Sequence, residues 1–336
     1  MSTTAGAFSE TTLLNIRAMA KARMMDERTK LNFVAQTEAA QIIPKVMTAN
    51  LGELKRSDKN YTIEISWPNN CAIVSGECEP CATGGPQLST NTQTYSLTHC
   101  VSAPFSHSGH VTIDNDFSAQ EIIADGILSA DKVNSENLVH IFLDFLNTNA
   151  GVANWNPGGE IGTVVGNQVQ ITAANFNIAA VGYMMKVLQY DRIAVNNNIS
   201  GNQLFNAYQN VNFTNGIIPA GVGTTERVNT FPILFDLFNF NAAGYNDRIF
   251  SLGMGSIAFV SKSYYGMTPT SVGSDTVVWS EPSRFFPGAV LEIWDHISCD
   301  EDLINHDFNV KIRYEFIVNP AGCDEDSNGI IQFVQV

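Results

Sequence analysis

Charge is scarce in this chain, with 15% of its 336 residues being Asp, Glu, Lys or Arg, and basic residues are the scarcer sign. From Met1 to Lys59 nine Lys and Arg stand against six Asp and Glu, which leaves nine basic residues for everything after Lys59. With a formal net charge of -15, the first segment is near +3 and the remainder near -18. A body of that sign repels nucleic acid, because affinity for DNA rests on neutralising phosphates with Lys and Arg; sequence-specific DNA binding is not expected. No uninterrupted apolar run approaches the roughly 20 residues of a membrane span, and no basic-then-apolar leader opens the chain. Synthesis in a cytosol is therefore the expectation. Also missing are a nucleophile elbow, a zinc-protease helix motif, a phosphate loop and a dinucleotide fingerprint; GMGS at Gly253 to Ser256 lacks the third glycine. There is no internal repeat and no low-complexity tract.

What is present is a folded chain. Apolar residues make up 44%, enough for one large core or two modest ones. Asn, Gln, Ser, Thr and Gly are abundant where charge is not, so much of the surface is neutral and polar or is covered by other chains, a hint of assembly. The strongest single stretch runs from Asp114 to Asn149. Ser118 followed by Glu121 is a capping box, in which hydroxyl and carboxylate each satisfy a free N–H of the first turn. Ile122, Ile123, Leu128, Val133, Leu138, Ile141, Phe142, Phe145 and Leu146 then recur at spacings of three to four, with Asp125, Asp131, Lys132 and Glu136 off that stripe. Run without a break, such a helix reaches ~45 Å at 1.5 Å per residue. Gly126 and Asn134-Ser135 are the places where it would kink. An ordinary pair of core helices is the alternative.

Around this spine the other elements fall in order. Leu13 to Arg28 is rich in Ala, Met, Arg and Leu and predicts a helix capped by Thr11 or Thr12. Its acidic Asp26 and Glu27 dilute the basic charge, which favours an arm docking on a neighbouring chain over one lying on a membrane. Leu13, Leu14, Ile16, Met19, Met24 and Met25 have no evident place in the spine's core. Ala35 to Thr48 predicts a second short helix. From Asn60 the pattern alternates, Tyr61, Ile63, Ile65 and Trp67 against Thr62, Glu64 and Ser66, which predicts a strand. Thr94 to Val101 and Ser106 to Ile113 alternate again beyond a Gly/Pro/Cys-rich stretch. Val46 to Ile113 thus reads as a two-stranded excursion that needs a partner, since such a ribbon buries too little surface alone. After the spine come a loop at Gly151 to Gly162, a hairpin about Gly166-Asn167, a helix at Ala173 to Asp191, a strand at Ile193 to Val195, and a helix at Ser200 to Asn210 capped by Asn198 or Ser200. Ile257 to Val260, Thr276 to Trp279, Val290 to Ile293 and Asn309 to Val318 are the later strands.

In that order the elements resemble the major capsid proteins of tailed bacteriophages, the Hong Kong 97 type fold. The resemblance rests on the spine stretch DNDFSAQEIIADGILSADKVNSENLVHIFLDFLN, on ITAANFNIAAVGYMMKVLQYDRIAVNNNISGNQLFNAYQ as a helix, strand, helix passage of the axial domain, and on VKIRYEFIVNP as the closing peripheral strand. It implies an α+β chain with a helical N-terminal arm at 1–45, an extended β-loop at 46–113, the spine of the peripheral domain at 114–150, an axial-type α/β domain at 151–290, and return strands at 291–336. It implies a subunit that self-assembles as pentamers and hexamers into an icosahedral head shell. The partners would be further copies, a portal, and scaffolding or cement proteins, with packaged double-stranded DNA held by confinement and no membrane involved. Some members cross-link through a loop lysine; Lys55 and Lys59 lie near the loop's base, so no cross-link is carried over. The alternatives are a β-rich receptor-binding or fibre protein, against which the helical arm argues, and a double jelly-roll capsid protein, disfavoured by the long helix.

Two clusters invite chemical readings. Cys71, Cys78, Cys81 and Cys100 fall close together, with Cys78-x-x-Cys81 at metal-knuckle spacing and His99, His107 and His110 nearby. Four free thiols, or disulfides formed after release from the cell, are favoured over a zinc tetrathiolate. Asp324, Asp326, Asn328, Gly329 and Ile331 follow a calcium-loop spacing, but its twelfth position is Gln335 in place of a bidentate Glu, so a hairpin turn is favoured. A hydrolase using Cys81 with a histidine is the remaining enzymatic reading. The sequence supports no catalytic residue and no cofactor.

Overall fold

The computed structural model describes residues 10–25, 37–47, 50–57, 60–69, 89–108, 117–151, 162–177, 196–207, 225–228, 231–300, 303–319 and 329–336. Its long helix α3 spans Ala119–Asn149, 31 residues without interruption. The capping box is formed: Ser118 N donates to Glu121 Oε2 at 2.8 Å, and Glu121 N to Ser118 Oγ at 3.3 Å. The helix does not break and restart at Gly126 or at Asn134-Ser135. Gly126 is needed because the Phe105 ring rests on it, where an added Cβ would lie 2.4 Å from a ring carbon. Asn134 and Ser135 are buried and bonded to neighbours outside the helix, Asn134 Nδ2 to Val310 O at 3.0 Å and Ser135 Oγ within 3.2 Å of Ser283 Oγ. The buried face carries Ile123, Leu128, Leu138, Phe142 and Leu146 as expected, but Val133 is 57% exposed. Asp131, placed off the stripe by its charge, is fully buried.

Two sheets flank this helix. The first, six-stranded and antiparallel, runs β11 (Ile257–Ser261), β15 (Leu303–Val318), β14 (Val290–Asp300), β13 (Thr276–Pro282) and β12 (Thr270–Ser271), with β4 (His99–Ser108) beside β15. Strands β4 and β11 share one edge of the 16-residue β15, β4 along residues 305–314 and β11 along 314–318. The second sheet has seven strands in the order β5 (Gly162–Val165), β6 (Gln168–Ile171), β16 (Ile330–Gln335), β10 (Arg248–Gly253), β7 (Asn196–Ser200), β9 (Phe231–Phe235) and β8 (Thr225–Val228). Pairs β6·β16 and β7·β9 are parallel, the others antiparallel. The chain passes from the second sheet to the first between Gly253 and Ile257, and β16 returns to the second sheet. A short helix, α4, covers 202–207, and α5 (Leu237–Ala242) follows β9.

The β-excursion differs from the expected two-stranded ribbon. Strands β1 (Asn50–Ser57), β2 (Asn60–Asn69) and β3 (Ser89–Leu97) make a three-stranded antiparallel sheet in that order, while the next strand, β4, belongs to the large sheet. The alternation in β2 is realised, with Tyr61, Ile63, Ile65 and Trp67 all buried. The partner they require is in the same chain, Ala258 and Val260 of β11 and Ile317 of β15. The hairpin about Gly166 forms, with Gly166 at φ 63° as its turn demands. The helix expected at Ala173 to Asp191 begins instead as turns over 173–177, and the rest of it lies outside the described residues, as does Ile193 to Val195. Asn198 is not a cap but the middle of β7, where its Oδ1 accepts from Ser251 Oγ at 2.6 Å. All four later strands form, each longer than its apolar run. The α+β class and the element series N-terminal helix, β-excursion, long helix, mixed sheet and closing strands are present in the expected order.

Candidate functional site

The N-terminal helix α1 (Glu10–Met25) lies on the spine helix of its own chain. Leu13, Ile16 and Ala20, one face at helical spacing, are each 2% exposed and join the core that contains α3. This corrects, for Leu13 and Ile16, the expectation that the apolar residues of this helix have no place there. Arg17, on the same face, donates from Nε to Glu281 Oε1 at 2.8 Å and from Nη2 to Met267 O at 2.8 Å. Glu281 is itself buried and also accepts from Trp279 Nε1 at 3.1 Å, with Arg284 Nη2 3.6 Å away. A carboxylate so placed needs its cations, because removing one partner of a buried pair leaves an uncompensated charge.

The segment 37–47 is fixed by polar pegs. A 3₁₀ turn at Glu38–Ile42 continues into α2 (Ile43–Val46). Thr37 Oγ1 donates to Phe285 O, and Ala39 N to Asp236 Oδ2, both at 2.8 Å. Asp236 also caps α5 through Asn239 N at 2.9 Å, so one carboxylate joins the segment to the second sheet. Burial pushes the Glu38 carboxyl up, and the neighbouring charges of Asp236 and Glu136 add to that. On the spine, Asp131 accepts from Ser283 Oγ at 2.6 Å, Arg284 N at 2.8 Å and Ser135 Oγ at 3.2 Å. Burial raises its carboxyl and these bonds oppose the rise. At the far end of the helix Tyr245 Oη donates to Asp144 Oδ1 at 2.6 Å, and Asn147 Oδ1 accepts from Gln332 Nε2 at 2.9 Å and from Arg248 Nη1. Burial, reinforced by the Asp144 hydrogen bond and charge, pushes the Tyr245 phenol up to about 12.

The base of the excursion is held from below. Lys262 Nζ donates to Gly52 O at 2.7 Å, and the Arg313 guanidinium lies 5.0 Å from the Tyr61 ring centre. The outer strand β3 exposes Thr90, Thr92, Gln93, Thr94 and Ser96, a neutral polar surface. Lys55 is in β1, and Lys59 lies outside the described residues.

Of the cysteine cluster, Cys71, Cys78 and Cys81 lie outside the described residues, as does His110. Cys100 is exposed on β4, its thiol raised by partial burial beside the backbone. His99 is exposed beside Glu315 at 3.8 Å, and His107 is buried on the opposite face of the strand from Cys100. The strand thus separates these groups by its pleat. Among the described residues no three His, Cys, Asp or Glu side chains converge as metal ligands. The acidic turn at Asp324 to Asn328 is also outside them; Gly329 follows at φ 76°, and Ile331 and Gln335 lie in strand β16.

Sequence reasoning missed Arg17 with Glu281, the pegs Asp131 and Asp236, and a buried pair, His306 and Asp295. Arg17, Asp131 and Asp236 have no local signature because each is defined by partners far away in the chain, and His306 meets Asp295 only once β14 and β15 pair.

No protein-family profile matches the chain, and no curated protein matches it. Among solved structures it is similar to the cyanophage A-1(L) capsid asymmetric unit, with 12% identity over 90% of this chain and 93% of that one and a TM-score of 0.46. It is similar also to a chain of Mycobacterium phage Che8, with 12% identity over 81% and 84% and a TM-score of 0.44. A third likeness is to the capsid of Ralstonia phage GP4, with 9% identity over 82% and 83% and a TM-score of 0.45.

Proposed function

We propose that this chain is the major capsid protein of a tailed bacteriophage, a shell subunit of the virion that binds further copies of itself and works by geometry, without an active site. The observation that carries this reading is how the excursion is mounted. Strand β4, which leaves the excursion, pairs over ten residues with β15 in the sheet under the spine helix, so the excursion is continuous with the sheet that packs on the spine. Its exposed surface is neutral and polar, which suits contacts that are individually weak and add over many copies. A portal and scaffolding or cement proteins would complete the head, and the acidic body would confine DNA without adhering to it. Negative-stain microscopy of the purified chain tests the reading. Closed particles or regular rings are expected; a monodisperse monomer at every concentration, or hydrolase turnover lost in Cys81→Ala, would overturn it.

A further inference from the structure

Strand β4 carries a histidine where the large sheet meets the start of the spine. His107 is 5% exposed and lies directly opposite His306 of β15. His306 is also buried, its Nδ1 2.9 Å from Asp295 Oδ2 and 3.0 Å from Asp295 Oδ1 on β14. The Asp295 carboxylate is fully buried and serves His306. Nδ1 of His107 has no hydrogen-bond partner among the described residues. Two imidazoles thus face each other across adjacent strands, and the one carboxylate lies on the far side of His306, on β14.

We propose that His107, His306 and Asp295 form an acid-sensitive latch that holds β4, and with it the root of the β-excursion, to the sheet at neutral pH and lets it go when His107 is protonated. Like charges directly opposite on neighbouring strands repel, and among the described residues His107 has no ion-pair partner. Other titratable groups among the described residues stand at this level. Asp307 points to the opposite face and accepts from Ser106 Oγ at 2.6 Å. From β13 the facing residue is Val277, and Asp275 beyond it is exposed and bonded to Ser274. From the spine, Glu121 is engaged in the capping box and Asp125 is half-buried one turn on. The charge acting on His107 is that of His306, which adds to burial in holding its imidazole below the ordinary value. Folded His107 therefore takes up a proton less readily than the unfolded chain does. The stability it contributes is complete above about pH 6.5, the ordinary imidazole value, and is lost as pH falls through that value toward the depressed one.

The test is hydrogen exchange of the full-length chain between pH 7.5 and 5.0, with labelling times scaled to the intrinsic rate at each pH. Peptides covering 99–108 are expected to lose about tenfold in protection in the wild type, which corresponds to about 1.4 kcal/mol in the free energy of local opening, while the spine peptides change less. In His107→Phe, which keeps an aromatic ring on the core face, that loss should vanish. His107→Gln, neutral throughout and polar, serves if the Phe variant does not fold. An equal acid loss of β4 protection in the wild type and in the folded variant overturns the proposal, as does a wild type whose β4 holds its protection at pH 5.0.

Discussion

Asp131 shows how a single buried carboxylate can orient an otherwise apolar helix. It grips the Ser283–Arg284 turn and so sets the rotation of the spine over its sheet. Replacing it with Ala takes the acceptor from the half-buried Arg284 N and leaves Ser283 Oγ only Ser135 Oγ to pair with, which costs about 1–3 kcal/mol for a donor left unsatisfied; the urea midpoint should fall accordingly at unchanged slope. Gly126 poses the opposite question. Alanine would gain about 1 kcal/mol of helix propensity, but its Cβ would meet the Phe105 ring, which is stacked on Phe308 at 4.7 Å. Overpacking costs about 1–3 kcal/mol, so Gly126→Ala should destabilise, and Phe105→Leu in the same chain should recover part of the loss in thermal unfolding. At Glu38 pH decides. Its folded carboxyl is raised by burial and by Asp236 and Glu136, so the stability it gives is full below the ordinary carboxylate range and is lost as pH rises through the raised value. Glu38→Gln, neutral at every pH, should lose less of the exchange protection of residues 37–47 between acid and pH 8 than the wild type does.

At the scale of elements, α1 and the excursion were expected to look outward, and their inner faces are satisfied at home. Deleting residues 1–29 should therefore do more than impair assembly: it strips Leu13, Ile16 and Ala20 from the spine and leaves Glu281 without Arg17. A clear drop in the body's melting temperature is expected, and an unchanged one would show that the helix is not part of the core. The sequence makes plain whatever is periodic over short range. Alternation from Tyr61 to Trp67, the Ser118–Glu121 box and the apolar runs of β11, β13, β14 and β15 all report burial of one face by neighbours a few residues apart. It is silent on which strand lies beside which. Nothing in HCVSAPFSHS says that β4 abandons β3 for β15, because that choice is made by Phe105 finding Phe308 and Val101 finding Ile312. Charge misleads in the same way: Asp131 reads as solvent-facing until its three donors, two of them far along the chain, are in view.

For the whole molecule, charge is the property read most directly from composition. The purified subunit should bind duplex DNA no more tightly than ~10⁻⁴ M at physiological salt, the weak end of non-specific binding; submicromolar affinity in a gel-shift assay would contradict it. The pairing of β4 with β15 has a further consequence, measured in time. Phe105 leaves the ribosome some 200 residues before Phe308, which at 5–20 residues per second is roughly 10–40 s. Throughout that interval the root of the excursion and the underside of the spine have been made while the strand that covers both has not. Nascent chains on one messenger pass through this interval side by side, each offering the same uncovered strand. The sheet that mounts the excursion thus closes late and is a place where two unfinished copies can pair wrongly, so slower translation upstream of Leu303 should lower the yield of soluble chain more than slower translation downstream of it.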